Sequence, residues 1–442
     1  MPGAKFKVSV CGGGVGGLTF AVAMSRYANV EVEIFEAASE FSPIGAGIGI
    51  WPRVWKALTS IGLSSLASHA SSQPSNDTVR TLVFRKSDWE EGCAFCEMFT
   101  TGTLLFFHRA HFHEELVKHL LPSCQIQYSK RLKTYNRLAS GKIELLFDDA
   151  STTTCDLLVG ADGIKSSVRR TYLHEQAQKA SKAGHTDAAD ILLSAVDPVW
   201  TGTVAYRALV PVAKVEGYVP REHGIQYLGK DMAIIVYPIA KGSMLNVVAY
   251  QTNYSLAEMP FEGPWIQDAD EDELRTALSG WEPEIRNILR HMTKPTKWAI
   301  HTVRPLPTFG SGGVVLLGDA AHAMAPHQGS GAGQAIEDAC VLAELLGHPA
   351  ASLDTLPDIL RIYDALRRPF ALDIARRSYQ NGRYLSMNHE DFVLDGSEVE
   401  EEPKRLQKLG QALVENWKWA WTTSLDGVIQ EGIRMLEHVS QK

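Results

Sequence analysis

An apolar strand over residues 6–11 runs directly into Gly12-Gly13-Gly14-Val15-Gly16-Gly17, and residues 18–24 continue as a helix. A second apolar strand, residues 30–35, ends at Glu36. Strand, glycine turn, helix, strand and an acid about 20 residues beyond the glycines form the dinucleotide-binding fingerprint in the context it requires. Gly12 permits the tight turn, Gly14 lets a pyrophosphate approach the backbone, and Gly17 lets helix and strand pack closely. Glu36 is placed to accept hydrogen bonds from a ribose, and a carboxylate there disfavours a 2′-phosphate. The tightly held dinucleotide is therefore expected to be FAD or NAD, not NADP.

Two further apolar strands end in an acid beside a glycine. Residues 314–317 lead to Gly318-Asp319, then to a loop with Gly329, Gly331 and Gly333, then to a helix carrying Ile336, Val341, Leu342, Leu345 and Leu346. Strand, glycine loop and helix bring backbone N–H groups and a positive helix end against an anionic ligand. Asp319 is placed for ligand hydroxyls, although a tight crossover needing glycine only for sterics fits the same pattern. Residues 157–160 lead to Ala161-Asp162-Gly163, with Ser166 and Arg169 beyond, a D-G-x-x-S-x-x-R pattern that an ordinary Asp-Gly turn also shares.

The run PHQGSGAGQAIED, residues 326–338 after Gly318-Asp319, resembles the G-D motif of flavin-dependent aromatic hydroxylases, in particular the salicylate-hydroxylase-like group. All three strand-end motifs stand in that family's order, and the resemblance runs from about Lys5 to the end. It implies an α/β chain: a FAD-binding Rossmann-like domain of the glutathione-reductase type, an antiparallel-sheet substrate domain and C-terminal helices. The expected division is 1–75, 105–190 and 299–348 for FAD binding, 76–104 and 191–298 for the substrate sheet, and 349–442 for the helical region. No second G-x-G-x-x-G unit is found, as expected of a single-component enzyme without a separate nicotinamide domain. The implied cofactor contacts are Gly12, Gly14, Val15, Gly17, Glu36, Asp162, Asp319, Pro326, Gly329, Gly331 and Ala332. Gly47 and Gly49 join them from the glycine-rich loop 43–52, and Arg109 from His108-Arg109, which otherwise reads as a solvated helix start. The helix near Gly331 would aim its N-terminus at the flavin N1–C2=O edge. The implied cycle uses NADH or NADPH to reduce FAD and O2 to form a flavin C4a-hydroperoxide that attacks an electron-rich ring.

Activating a phenol requires loss of its proton, or a hydrogen bond that draws the proton away. His327, beside the glycine loop, suits that task, or else caps the loop structurally. Arg207, on the strand face opposite Tyr206, suits a carboxylate or phenolate, or else is solvated. Tyr237 shares a face with Ala233, Ile235 and Ile239 and suits a substrate oxygen, although such a tyrosine is also ordinary core. The best single reading is decarboxylative hydroxylation of salicylate or another hydroxybenzoate. Hydroxylation or dearomatisation of an acylphenol is the alternative, and a non-catalytic flavin-binding scaffold a second. A halogenase is disfavoured, because Trp417-Lys418-Trp419 continues as Ala420-Trp421-Thr422 and not as the x-Ile-Pro of W-x-W-x-I-P.

At 442 residues two packed domains or one elaborated one are expected. A net charge of −8 gives no footprint for nucleic acid or an anionic membrane, so an anionic substrate needs local cations. No apolar run approaches the ~20 residues of a membrane span, and the N-terminus enters a strand without signal-peptide features. The six cysteines are scattered, and Cys93/Cys96 lack the partners of a metal site, so reduced thiols and no metal are expected. These features suit a cytoplasmic monomer or homodimer whose partners are a small aromatic substrate, NAD(P)H and O2. Elsewhere the pattern predicts strands at 78–85, 93–99, 125–128 and 142–147, and a mainly antiparallel sheet from 201–212, 232–239 and 244–252. Two helices are predicted within 268–292, capped by Asp268 or Asp270 and reopened by Pro283. Residues 299–304 read as a strand returning to the first domain. A helix over 360–385 is read as interrupted by Pro369, with an acidic loop at 396–402 and amphipathic helices over 405–439.

Overall fold

The structure, a computed structural model, describes residues 5–41, 47–122, 124–215, 223–392 and 402–440. Its first layer is a six-stranded sheet in the order Gly310–Ser311, Val314–Leu316, Leu157–Gly160, Phe6–Cys11, Val30–Phe35, Gln125–Gln127. All neighbours are parallel except the first pair. The register pairs Cys11 with Gly160 and Gly160 with Leu316, so the three strand-end motifs leave adjacent strands at one carboxyl edge. That edge is where an open parallel sheet binds its ligand. The central strands Leu157–Gly160 and Val314–Leu316 are apolar and fully buried because both faces are covered, whereas Val30–Phe35 and Gln125–Gln127 at the far edge keep polar residues. The helix Val15–Met24 packs beside Gly331–Gly347 on one side, and the meander Leu132–Arg137, Ile143–Phe147, Thr152–Cys155 adds Tyr135, Leu145 and Phe147 to the same core.

The second layer is an eight-stranded, mainly antiparallel sheet. Its central strands are Val199–Pro211, Met244–Thr252, Met232–Ile239 and Gly224–Gly229. Alternation divides the two faces as expected: Tyr206, Val210, Ile234 and Val236 pack on the helices Glu271–Ala277 and Pro283–Arg290. Arg207, Ile235 and Tyr237 face the other way. Asp270, not Asp268, caps the first of these helices by accepting from the Asp272 amide at 2.9 Å.

Four readings need correction or placement. The strand Thr296–Thr302 pairs with Val199–Pro211 and Ile266–Asp268 inside the large sheet, so it does not return to the first layer. Gly47–Ile50 is a strand, not loop, because Leu105–His108 supplies its hydrogen-bonding partner. The helix Leu356–Leu385 runs unbroken through Pro369. Its buried face, with Ile362, Tyr363, Ala371 and Ile374 in the core and Arg367 in ion pairs, holds it helical across a residue that costs roughly 3 kcal/mol in a helix interior. Residues 43–46 and most of the acidic stretch 396–402 lie outside the described residues. The C-terminal helices Glu402–Trp417 and Asp426–Ser440 close the molecule, the first laying Leu409, Leu413 and Trp417 against the large sheet. Among the described residues no helix is long and apolar enough to cross a membrane.

Candidate active site

A cavity of about 380 Å³ lies where the carboxyl edge of the parallel sheet meets the open face of the large one. Gly14, Val15 and Gly16, the turns at Ala161, Gly163 and Asp319, Arg109, the Gly47–Ile50 strand and residues 324–332 line it, together with Arg207, Tyr237, Asn246 and Tyr250.

Two helices open onto this cavity. Neither Val15–Met24 nor Gly331–Gly347 has a side-chain cap or an acid in its first turn, so their leading amides have no side-chain acceptor from the protein. Orphan amides at a positive helix end favour an anion. A Cβ on Gly14 would meet nothing within 4 Å, which leaves the backbone open to a ligand. A bulky dinucleotide with a pyrophosphate and a polarisable ring edge fits this pair of helix ends.

The predicted cofactor residues divide in two. Gly14, Val15, Gly47, Gly49, Arg109, Asp319, Pro326, Gly329, Gly331 and Ala332 line the cavity. Gly12, Gly17, Glu36 and Asp162 do not, and each holds the architecture. Gly12 has φ +106°, and a Cβ there would lie 2.2 Å from the Ala161 carbonyl oxygen, while one on Gly17 would lie 2.1 Å from that of Gly12. Glu36 accepts from the Gly13 and Ala38 amides, both at 2.8 Å, and so pins the glycine turn. Asp162 accepts from Ser166 Oγ (2.5 Å) and from the amides of Ser167 (2.7 Å) and Val168 (3.1 Å), capping the following helix. Buried Arg169 donates to the carbonyls of Ile164 at 2.5 Å and Ala320 at 3.1 Å, tying that turn to the one at Asp319.

Residues 325–330 form a wall braced from outside. The Gln328 carbonyl accepts from the indoles of Trp51 and Trp417, each at 3.1 Å, and the Gln328 amide donates to Ser378 Oγ at 3.1 Å. Behind the wall, Glu337 and Asp338 are completely buried. Arg53 binds Glu337 through two nitrogens at 2.9 and 3.0 Å, and Arg367 reaches both acids at 2.9 and 2.8 Å. Burial alone would raise the Asp338 carboxyl, but His322, Arg367 and the Gly318 amide hold it down to about 2. The motif's two acids are thus brackets between elements, not ligands.

At the sheet end, half-buried Arg207 stands 5.0 Å from the Trp298 ring centre and has no hydrogen-bond partner for its Nε. Tyr237 stacks on Phe106 at 4.4 Å. Burial raises the hydroxyls of Tyr237 and Tyr250, the guanidinium of Arg207 opposing it, so both phenols are protonated at neutral pH. His327 meets Tyr250 edge-on at 4.9 Å. Burial pushes its imidazole down to about 4, and its Nδ1 has no partner. Sequence reasoning missed Asn246, Gln226, Tyr250 and Trp51 among the lining residues. Asn246 left a signal, as the single amide in the otherwise apolar run of residues 244–250.

Residues 5–378 match a family model described as FAD binding domain. A salicylate hydroxylase of Pseudomonas putida is 34% identical over 96% of this chain and 94% of its own length. A 6-methylsalicylate 1-monooxygenase of Aspergillus terreus is 30% identical over 99% and 94%. A solved salicylate hydroxylase substrate complex superposes with a TM-score of 0.80 at 30% identity, covering 97% of this chain and 98% of that one.

Proposed function

The chain belongs to the FAD-binding-domain family of FAD-dependent monooxygenases, and from that premise we propose that it hydroxylates a phenolic aromatic acid, best salicylate or another hydroxybenzoate with loss of CO2. The observation that carries this reading is Arg207: a guanidinium whose Nε lacks a partner, on a cavity wall shared with two protonated tyrosines and a neutral histidine. Since the protein is a monooxygenase, the non-catalytic scaffold is set aside.

When bound, FAD takes electrons from NADH or NADPH and supplies the activation of O2 and the transfer of one oxygen atom. The first-turn amides of Val15–Met24 would hold its pyrophosphate, Asp319 its hydroxyls, and the amides at Gly331 and Ala332 its ring edge. Arg207 pairs with the substrate's carboxylate or phenolate by a charge-assisted hydrogen bond, strong in a water-poor cavity. His327, neutral at working pH, accepts the hydrogen bond of the ring hydroxyl at Nδ1. An imidazole held near 4 is a weak base, so the positive field of Arg207 is needed to lower the phenol toward it. The wall at 325–330 keeps water out. A second reading, oxygen insertion into an acylphenol without decarboxylation, is favoured by the apolar part of the cavity, Leu82, Leu104, Phe106 and Leu385.

Product mass separates the two. With salicylate, NADH and O2, the first reading expects NADH consumption with release of catechol and CO2, and the second expects a gain of one oxygen on an acylphenol. NADH oxidation yielding only hydrogen peroxide across a hydroxybenzoate panel overturns the first. His327→Asn is expected to keep FAD, lower hydroxylation by about 10²–10⁴-fold and divert NADH oxidation to peroxide. Full coupling in that variant would move proton removal elsewhere.

A further inference from the structure

Asn246 is the third residue of the strand Met244–Thr252 and is 1% exposed. Its Oδ1 accepts from the Gly47 amide at 3.1 Å. That bond fixes which way the carboxamide points, because only oxygen can accept there. Nδ2 is therefore the free end, and it is buried with no hydrogen-bond partner on the wall of the cavity. A fully buried amide donor left unpaired is costly, and such groups in a cavity wall are kept where a ligand satisfies them.

The sheet register says where this donor stands. Asn246 is paired with Leu209 on one side and with Tyr237 on the other. Arg207 lies two residues from Leu209 on the same face, a diagonal neighbour at roughly 7–8 Å between backbones. Tyr250, which meets His327, lies four residues from Asn246, beyond Arg207's partner Val248. The cavity wall thus has one polar pole at Arg207, Tyr250 and His327, and a separate pole at Asn246 and Tyr237. Both donors of the second pole, an amide N–H and a protonated phenol, are neutral.

We propose that Asn246 determines specificity by donating from Nδ2 to a second oxygen of the substrate, a C=O oxygen on the carbon next to the ring hydroxyl, while its Oδ1 seats the Gly47–Ile50 strand. This rests on the hydroxybenzoate reading and extends it. Arg207 and His327 take the ring hydroxyl, and Asn246 with Tyr237 takes the neighbouring substituent. Neutral donors accept either a carboxylate or a ketone, so the test must distinguish the two.

The experiment titrates the FAD-loaded protein with salicylate, 2-hydroxyacetophenone and phenol, reading Kd from the perturbed flavin spectrum and FAD per chain from absorbance. Asn246→Leu removes the Nδ2 donor and also the acceptor that seats Gly47, so FAD content is expected to fall somewhat. In the FAD-loaded fraction both two-oxygen ligands are expected to weaken by about 10- to 100-fold, the range of a hydrogen bond to a charged acceptor at its upper end, while phenol is unchanged. Asn246→Asp keeps the acceptor for Gly47, so the strand stays seated. It is expected to weaken salicylate more than the ketone, because carboxylate then faces carboxylate. Equal weakening of all three ligands, or loss of FAD in both variants, assigns Asn246 to structure alone and overturns the proposal. So do unchanged affinities. A wild-type protein that responds to none of the three overturns the hydroxybenzoate reading and this assignment with it.

Discussion

His327 shows how a single buried side chain ties chemistry to stability. Its pKa is about 4 in the folded protein against 6.5 when free, so between these values the unfolded chain binds a proton that the folded one does not. Stability is unaffected above pH 6.5 and is lost as the pH falls through that window, by about 3 kcal/mol in full. Denaturant unfolding of wild type and His327→Asn at pH 7.5 and 4.5 isolates the effect. The stability of wild type relative to the variant is expected to fall by about 2–3 kcal/mol over that interval, and a constant difference would mean that the imidazole titrates normally. Much at this scale was legible. Arg207, Tyr237 and His327 all reach the cavity because period-two alternation and a long glycine motif fix side-chain direction. What the acids do within the protein was harder to read: Glu36 also accepts from the Gly13 and Ala38 amides, and Asp162 from Ser166 Oγ and the Ser167 and Val168 amides, bonds that only the folded turn reveals.

Among elements, the helix Leu356–Leu385 has the least expected part. Its Gly382 is where His327 rests: a Cβ there would lie 2.5 Å from His327 Cδ2 and 2.8 Å from Nε2. Gly382→Ala strengthens the helix by about 1 kcal/mol of propensity yet must push the imidazole aside. The expected outcome is normal FAD content with hydroxylation reduced by roughly 10²-fold, the usual effect of a displacement near 1 Å, read as product formed per NADH consumed. Undiminished coupling would show that the ring need not stand where it does. The strand–turn–helix units and the sheet of the second layer were legible because their periodicity is local. The Gly47–Ile50 strand was not, since a glycine-rich run becomes a strand only when Leu105–His108, far along the chain, offers it a hydrogen-bonding edge. The placement of Thr296–Thr302 has the same cause, as either sheet would suit its apolar alternation.

Across the whole molecule, the buried ions join segments distant in sequence. Arg53 reaches Glu337 from near the N-terminus and also Thr423 Oγ1 at 2.7 Å and the Ser424 carbonyl at 3.0 Å near the C-terminus. Arg367 completes the set from the long helix. Arg367→Met removes one cation and leaves two dry carboxylates underpaired, so a loss of about 3–5 kcal/mol is expected, with FAD released more readily. Thermal unfolding and FAD content check it, and a loss below about 1 kcal/mol would mean that water enters the network. The Gln328 carbonyl adds a temporal consequence. Its two indole donors stand 277 and 89 residues away, on opposite sides in the chain. Long separations make such contacts late to form. A chain emerging from the ribosome has every glycine motif in hand by residue 347, when Trp417 is still unmade. The segment that braces the wall at Gln328 is thus among the last to be translated, so a chain cut short before Trp417 keeps every glycine motif and Trp51 but lacks the second of the two indoles that hold that wall.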